Sequence, residues 1–131
     1  MKLITNFYKE EFNSKDGVVM LLDVLENIKD LANQLQVIRD YIKEPLGINS
    51  AYRSPEHNAK IGGVKNSEHL KGRAADLTSK NFTPKQLSKV IIKLINDGKI
   101  KEGGVGLYNG FVHYDIRGYK ARWDNSSLFN F

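Results

Sequence analysis

The chain has 131 residues, of which 40% are apolar and 27% charged, which excludes a disordered chain and fits one globular domain with a core of its own. It has no cysteine, so disulfide frameworks, Cys-ligated zinc and Cys nucleophiles are excluded together. A formal charge of +5 favours anionic partners, although the lysines are scattered rather than gathered into the run that a nucleic-acid binder would show.

The N-terminal stretch MKLITNFYKEEF carries no apolar run and no small-residue cleavage site, so it does not read as a secretory signal. No window approaches the ~18 apolar residues that a membrane span needs. The expected locations are therefore the cytoplasm until release, or a virion. Lys15-Asp16-Gly17 marks a turn, after which Val18 to Glu44 reads as one long helix. Its apolar stripe is Leu21, Leu22, Val24, Leu25, Ile28, Leu31, Ala32, Leu35, Ile38 and Ile42, and Pro45 stops it.

Leu46 to Tyr52 is a short strand candidate, and Arg53 to Lys71 is a polar loop long enough to carry function. Ala74 to Thr78 reads as a second strand. Thr83 and Pro84 open a second helix as N-cap and first residue, with Leu87, Val90, Ile91, Leu94 and Ile95 buried and Gly98 ending it. Gly104 to Tyr108 and Phe111 to Arg117 flank Asn109-Gly110, a hairpin signal. The tail, Ala121 to Phe131, carries Trp123, Phe129 and Phe131 and is expected to pack back onto the body. This order predicts an α+β fold, a small antiparallel sheet with helices on one side. The unit is a single domain over residues 1–131, expected as a monomer.

The chain has three histidines, His57, His69 and His113, and none lies on an apolar helical stripe. Between His69 and Asp76 stand Gly72, Ala74 and Ala75, small enough for a sharp turn and close packing. An imidazole nitrogen and a carboxylate oxygen can therefore meet at one point, and both bind Zn²⁺. On the strand around His113, alternation places Val112, Tyr114 and Ile116 toward the core. His113, Asp115 and Arg117 then share the other face with Phe111. A His-x-Asp pair needs partners if it is to leave water, and a metal at His113 supplies one, with Asp115 as base or as support. Two histidines and one aspartate make three protein ligands, the count that a catalytic zinc uses while keeping a position for water.

The segment Ser50-Ala51-Tyr52-Arg53-Ser54-Pro55-Glu56-His57-Asn58, then Ile61-Gly62-Gly63, and Asn66 to Asp76 resemble the zinc D-Ala-D-Ala carboxypeptidase family. That family includes phage endolysins and cell-wall endopeptidases and shares its fold with the hedgehog signalling domain. The pattern Ser-x-His-x-x-Gly-x-Ala-x-Asp is met at every position from Ser67 to Asp76, and Val112-His113-Tyr114-Asp115 matches the family's last histidine motif. Asn13 to Gly17 matches its pre-helix turn, so the likeness spans about residues 6–118.

The resemblance implies zinc held by His69, Asp76 and His113, Arg53 gripping a substrate carbonyl or carboxylate, and Ser67 supporting the ligand loop or touching substrate. Many members carry the catalytic acid three residues before the last histidine, where this chain has Gly110. Others carry it two residues after, which makes Asp115 the expected base, with Glu68 and His57 as alternatives. The implied substrate is a peptidoglycan stem peptide, cut at a D-Ala-D-Ala or an L-Ala-D-Glu type bond, and the positive charge suits an anionic wall. A second reading is a phage structural or binding protein that keeps the fold and has little or no catalysis. A nucleic-acid partner is disfavoured, because aromatic residues are not interleaved with basic ones.

Overall fold

The computed structural model describes residues 1–126. Strands β1 (Lys2–Ile4) and β2 (Phe7–Tyr8) form an antiparallel hairpin that leads into a 3-10 turn at Lys9–Phe12. Helix α1 (Leu22–Ile42) follows, and then β3 (Gly47–Ser50), the short helix α2 (Pro55–Lys60) and a second 3-10 turn at Glu68–Lys71. Strand β4 (Ala74–Thr78), helix α3 (Pro84–Asn96), and strands β5 (Gly104–Leu107), β6 (Val112–Asp115) and β7 (Ala121–Asp124) complete the chain order. This is the expected α+β class. The larger sheet has the order β3-β4-β6-β5-β7 and is mixed rather than purely antiparallel, because β7 runs parallel to β5.

Both long helices form for the reasons their sequences suggest. Thr83 accepts a hydrogen bond from the Gln86 N–H while the Gln86 side chain accepts one from the Thr83 N–H, a reciprocal cap with Pro84 as first residue. The start of α1 differs from the expectation. The helix begins at Leu22, not Val18, and no side chain caps it. Leu21 and Leu22, expected in the buried stripe, are 70% and 81% exposed. The stripe that reaches the core runs through Val24, Ile28, Leu31, Ala32, Leu35, Ile38 and Ile42. At the other end Lys43 adopts the left-handed conformation, its N–H donating to the Arg39 carbonyl, two residues before Pro45.

Helix α3 packs on β4, β5 and β6 and touches α1. Ala75, Leu77, Val105, Val112 and Tyr114 meet the helices in one core, and the Tyr114 hydroxyl donates to the Lys101 carbonyl at 2.7 Å. The expected split along β6 holds for Val112 and Tyr114, which are wholly buried. The tail contributes β7, and Ser126 closes the described part through hydrogen bonds to Asp124. Phe129 and Phe131, expected to pack onto the body, lie outside the described residues.

Candidate metal centre

The centre lies on the face of the large sheet opposite α3, along a single rung. Ser50 pairs with Asp76, Asp76 with His113, His113 with Gly106, and Gly106 with Trp123, so one line of Cα partners crosses all five strands. Asp76 and His113 thus stand side by side because their strands are in register. His69 comes from outside the sheet, from the 3-10 turn that Ser67 caps by accepting the His69 N–H at 3.1 Å. Gly72 ends that turn at φ +73°, and a Cβ there would fall 2.9 Å from a Val24 methyl. The turn can therefore close tightly onto α1 only with glycine at this position.

His69 Nε2 lies 3.2 Å and His113 Nδ1 3.3 Å from the same Asp76 oxygen, Oδ1. One atom from each of the three residues falls within 4.8 Å of the others, an arrangement that could hold a metal ion. The remote nitrogens of the two rings decide the tautomers. His69 Nδ1 lies 2.6 Å from the Ala51 carbonyl and His113 Nε2 lies 2.7 Å from Asp115 Oδ2. Both partners can only accept, so each remote nitrogen carries the hydrogen and donates. With these tautomers a metal at the centre would meet an inward lone pair on each ring beside the Asp76 carboxylate, the donor set a divalent zinc takes. With no metal, a proton on an inward nitrogen bonds to Asp76 instead.

A scan of protein families matches the Peptidase M15 model to residues 5–115. The chain belongs to the M15 family, that of the zinc D-Ala-D-Ala carboxypeptidases. No curated protein matches it. As a member of this family of zinc peptidases, the chain is a peptidase whose His69, Asp76 and His113 fit the metal the family uses.

The electrostatics of this M15 centre are those of a buried network rather than a solvated patch. Burial works against the charge of Asp76, but hydrogen bonds from His113 and His69 outweigh it and hold the carboxyl well below the usual range. Burial also works against a charged His113, and Asp115 and Asp76 on either side of the ring more than offset it, raising its pKa. Arg53 sends Nε to Ser50 Oγ, Nη1 to Asn58 Oδ1 and Nη2 to Asp76 Oδ2. Its main-chain N–H donates to the His69 carbonyl at 3.1 Å, so the arginine and the ligand turn are braced against each other. Three of its five N–H groups are engaged among the described residues, which leaves one on each terminal nitrogen.

The base expected at Asp115 is corrected by its surroundings. This carboxylate is 0% exposed and accepts from His113, from the Gly104 N–H, and from the backbone N–H, Nε and Nη2 of Arg117. Burial opposes its charge, yet His113, Arg117 and the Gly104 N–H hold its pKa far below the ordinary value. Five donors occupy its lone pairs, and it does not line the cleft, so it holds His113 instead of taking a proton from water.

Of the two alternatives, His57 sits on α2, which sequence reading left as loop, and does not line the cleft. Glu68 does line it, and its Oε1 is buried with no hydrogen-bond partner among the described residues. The cleft has a volume of about 490 Å³, and Arg53, Ser67, Glu68, His69, Asp76 and His113 all line it. Tyr108, Phe111, Tyr119, Trp123 and Asn125 also line it, and the sequence does not single them out as site residues. The available signal was position: Tyr108 and Phe111 flank the hairpin turn next to His113.

Proposed function

We propose that this M15 peptidase is zinc-dependent and hydrolyses a peptide bond in the peptidoglycan stem peptide, of the D-Ala-D-Ala or L-Ala-D-Glu type, in lysis or remodelling of the cell wall. The observation that carries the reading is the convergence of His69, Asp76 and His113, with both remote ring nitrogens fixed by acceptors. Bound zinc polarises a scissile carbonyl and lowers the pKa of water to about 7.

The protein residues then divide the remaining work. The two spare N–H groups of Arg53 grip the substrate carbonyl or terminal carboxylate beside Asp76. Ser67 holds the ligand turn. Glu68 is the cleft carboxylate not given to the metal set, and in this reading it takes the proton of the attacking water and hands it to the leaving amine. The net charge of +5 draws the protein to an anionic wall.

Purified protein loaded with zinc is expected to release product from muropeptides, and His69→Ala to abolish both zinc retention and turnover. Stoichiometric zinc with no product from any stem peptide would instead favour a structural or binding role for the fold. Glu68→Gln is expected to keep zinc and lower kcat by about 10²–10⁴.

A further inference from the structure

Tyr108, the residue that follows β5, lines the same cleft as Arg53. Its hydroxyl accepts a hydrogen bond from Trp123 Nε1 at 2.9 Å. An indole N–H can only donate, so the phenolic hydrogen cannot point toward Trp123. The hydroxyl makes no other hydrogen bond among the described residues, and Tyr108 is one of the residues that line the cleft.

Three features hold this donor in place. The Tyr108 ring stacks on Phe111 with centroids 4.5 Å apart and planes at 15°. The Tyr108 N–H donates to the Phe111 carbonyl at 3.1 Å, closing the hairpin. Trp123 is itself fixed, because its indole fills the space that a side chain at position 106 would need. A Cβ on Gly106 would come 2.3 Å from Cε2 and Nε1. That same indole lies 5.0 Å from the His113 ring, so the metal centre and the phenol share one aromatic wall.

We infer that Tyr108 is a catalytic residue, donating its O–H to the scissile carbonyl oxygen as negative charge develops there. The inference rests on the peptidase reading above. The proton stays on tyrosine throughout, and only the hydrogen bond strengthens. A donor already oriented by Trp123 and clamped by Phe111 needs no reorganisation as the charge grows, which is the condition under which such a contact acts on the transition state more than on the ground state.

The test compares zinc-loaded wild type, Tyr108→Phe and Trp123→Phe on a stem peptide that the wild type cleaves. Tyr108→Phe is expected to lower kcat by about 10²–10³ with KM little changed, and to retain zinc and the wild-type thermal midpoint. Trp123→Phe keeps an aromatic wall but loses the orienting N–H, and is expected to fall between the two. An unchanged kcat in Tyr108→Phe overturns the inference while leaving the peptidase reading intact. A rise in KM alone also overturns it, since that is the mark of ground-state binding. A wild type that cleaves no stem peptide overturns both together.

Discussion

Along β4 and β6, Ala75, Leu77, Val112 and Tyr114 face the helices, while Asp76 and His113 face the cleft and Asp115 lies buried behind His113. Residues one position apart in the same strands thus do opposite work. On the helix side each buried aliphatic side chain adds about 1.5–3 kcal/mol of stability, with no demand on direction. On the cleft side each buried charge costs several kcal/mol unless its partners are well placed. Asp115 shows how placement is achieved, with donors from β5, from β6 and from the Arg117 segment around one carboxylate. The period of two in a strand therefore separates the residues that make this protein stable from those that make it chemically useful.

If that separation is real, Leu77→Ala should cost about 2–5 kcal/mol in denaturant unfolding and leave the zinc affinity of the folded protein unchanged. A parallel fall in zinc affinity would show that the two faces are coupled. Asp115→Asn is expected to lower zinc affinity about 10–100-fold in chelator competition, because the amide N–H that takes the place of Oδ2 would face His113 Nε2 where the ring now finds an acceptor. Thr83→Ala, on the helix side and remote from the cleft, should cost about 1 kcal/mol through the lost cap, with activity unaffected.

The smallest effect is expected at the rim of the site. Asp16 accepts from Ser54 Oγ at 2.5 Å, from Ser14 Oγ at 2.7 Å and from the Val18 N–H, tying the turn before α1 to the residue after Arg53. The Ser54 and Ser14 hydroxyls pull its pKa from 3.8 to about 2. A carboxyl depressed by folding contributes fully above its ordinary pKa and loses that contribution as pH falls through the folded one. The stability difference between wild type and Asp16→Asn should therefore hold above pH ~4 and vanish toward pH ~2 in an acid titration.

Much of this was legible in the residues. The cluster of His69, Asp76 and His113 followed from the Ser67–Asp76 motif and the His-x-Asp pair, and α3 from its cap and stripe, because those signals are local. The early start expected for α1 failed because Val19, Leu21 and Leu22 continue an apolar pattern without a capping side chain to mark where the helix begins. Helix α2 carried a readable Ser54-Pro55 start, but six residues give no periodicity to notice. The parallel pairing of β7 with β5, and with it the place of Trp123 beside His113, depends on contacts between segments distant in sequence. Asp115 was misjudged for the same reason. Strand alternation already placed Arg117 on its face. The Gly104 N–H that helps to fill this carboxylate comes from β5, which the alternation of a single strand does not reveal.

The single rung from Ser50 to Trp123 has a consequence for how the protein matures. Sliding β6 by one residue against β4 would set Val112 or Tyr114 opposite Asp76 and turn His113 into the apolar layer. Only the correct alignment presents two nitrogens and an oxygen to one point, so zinc uptake under the proposed function would report on strand alignment as well as on chemistry. Followed in real time during refolding, the arrival of the metal would time the moment at which the sheet locks.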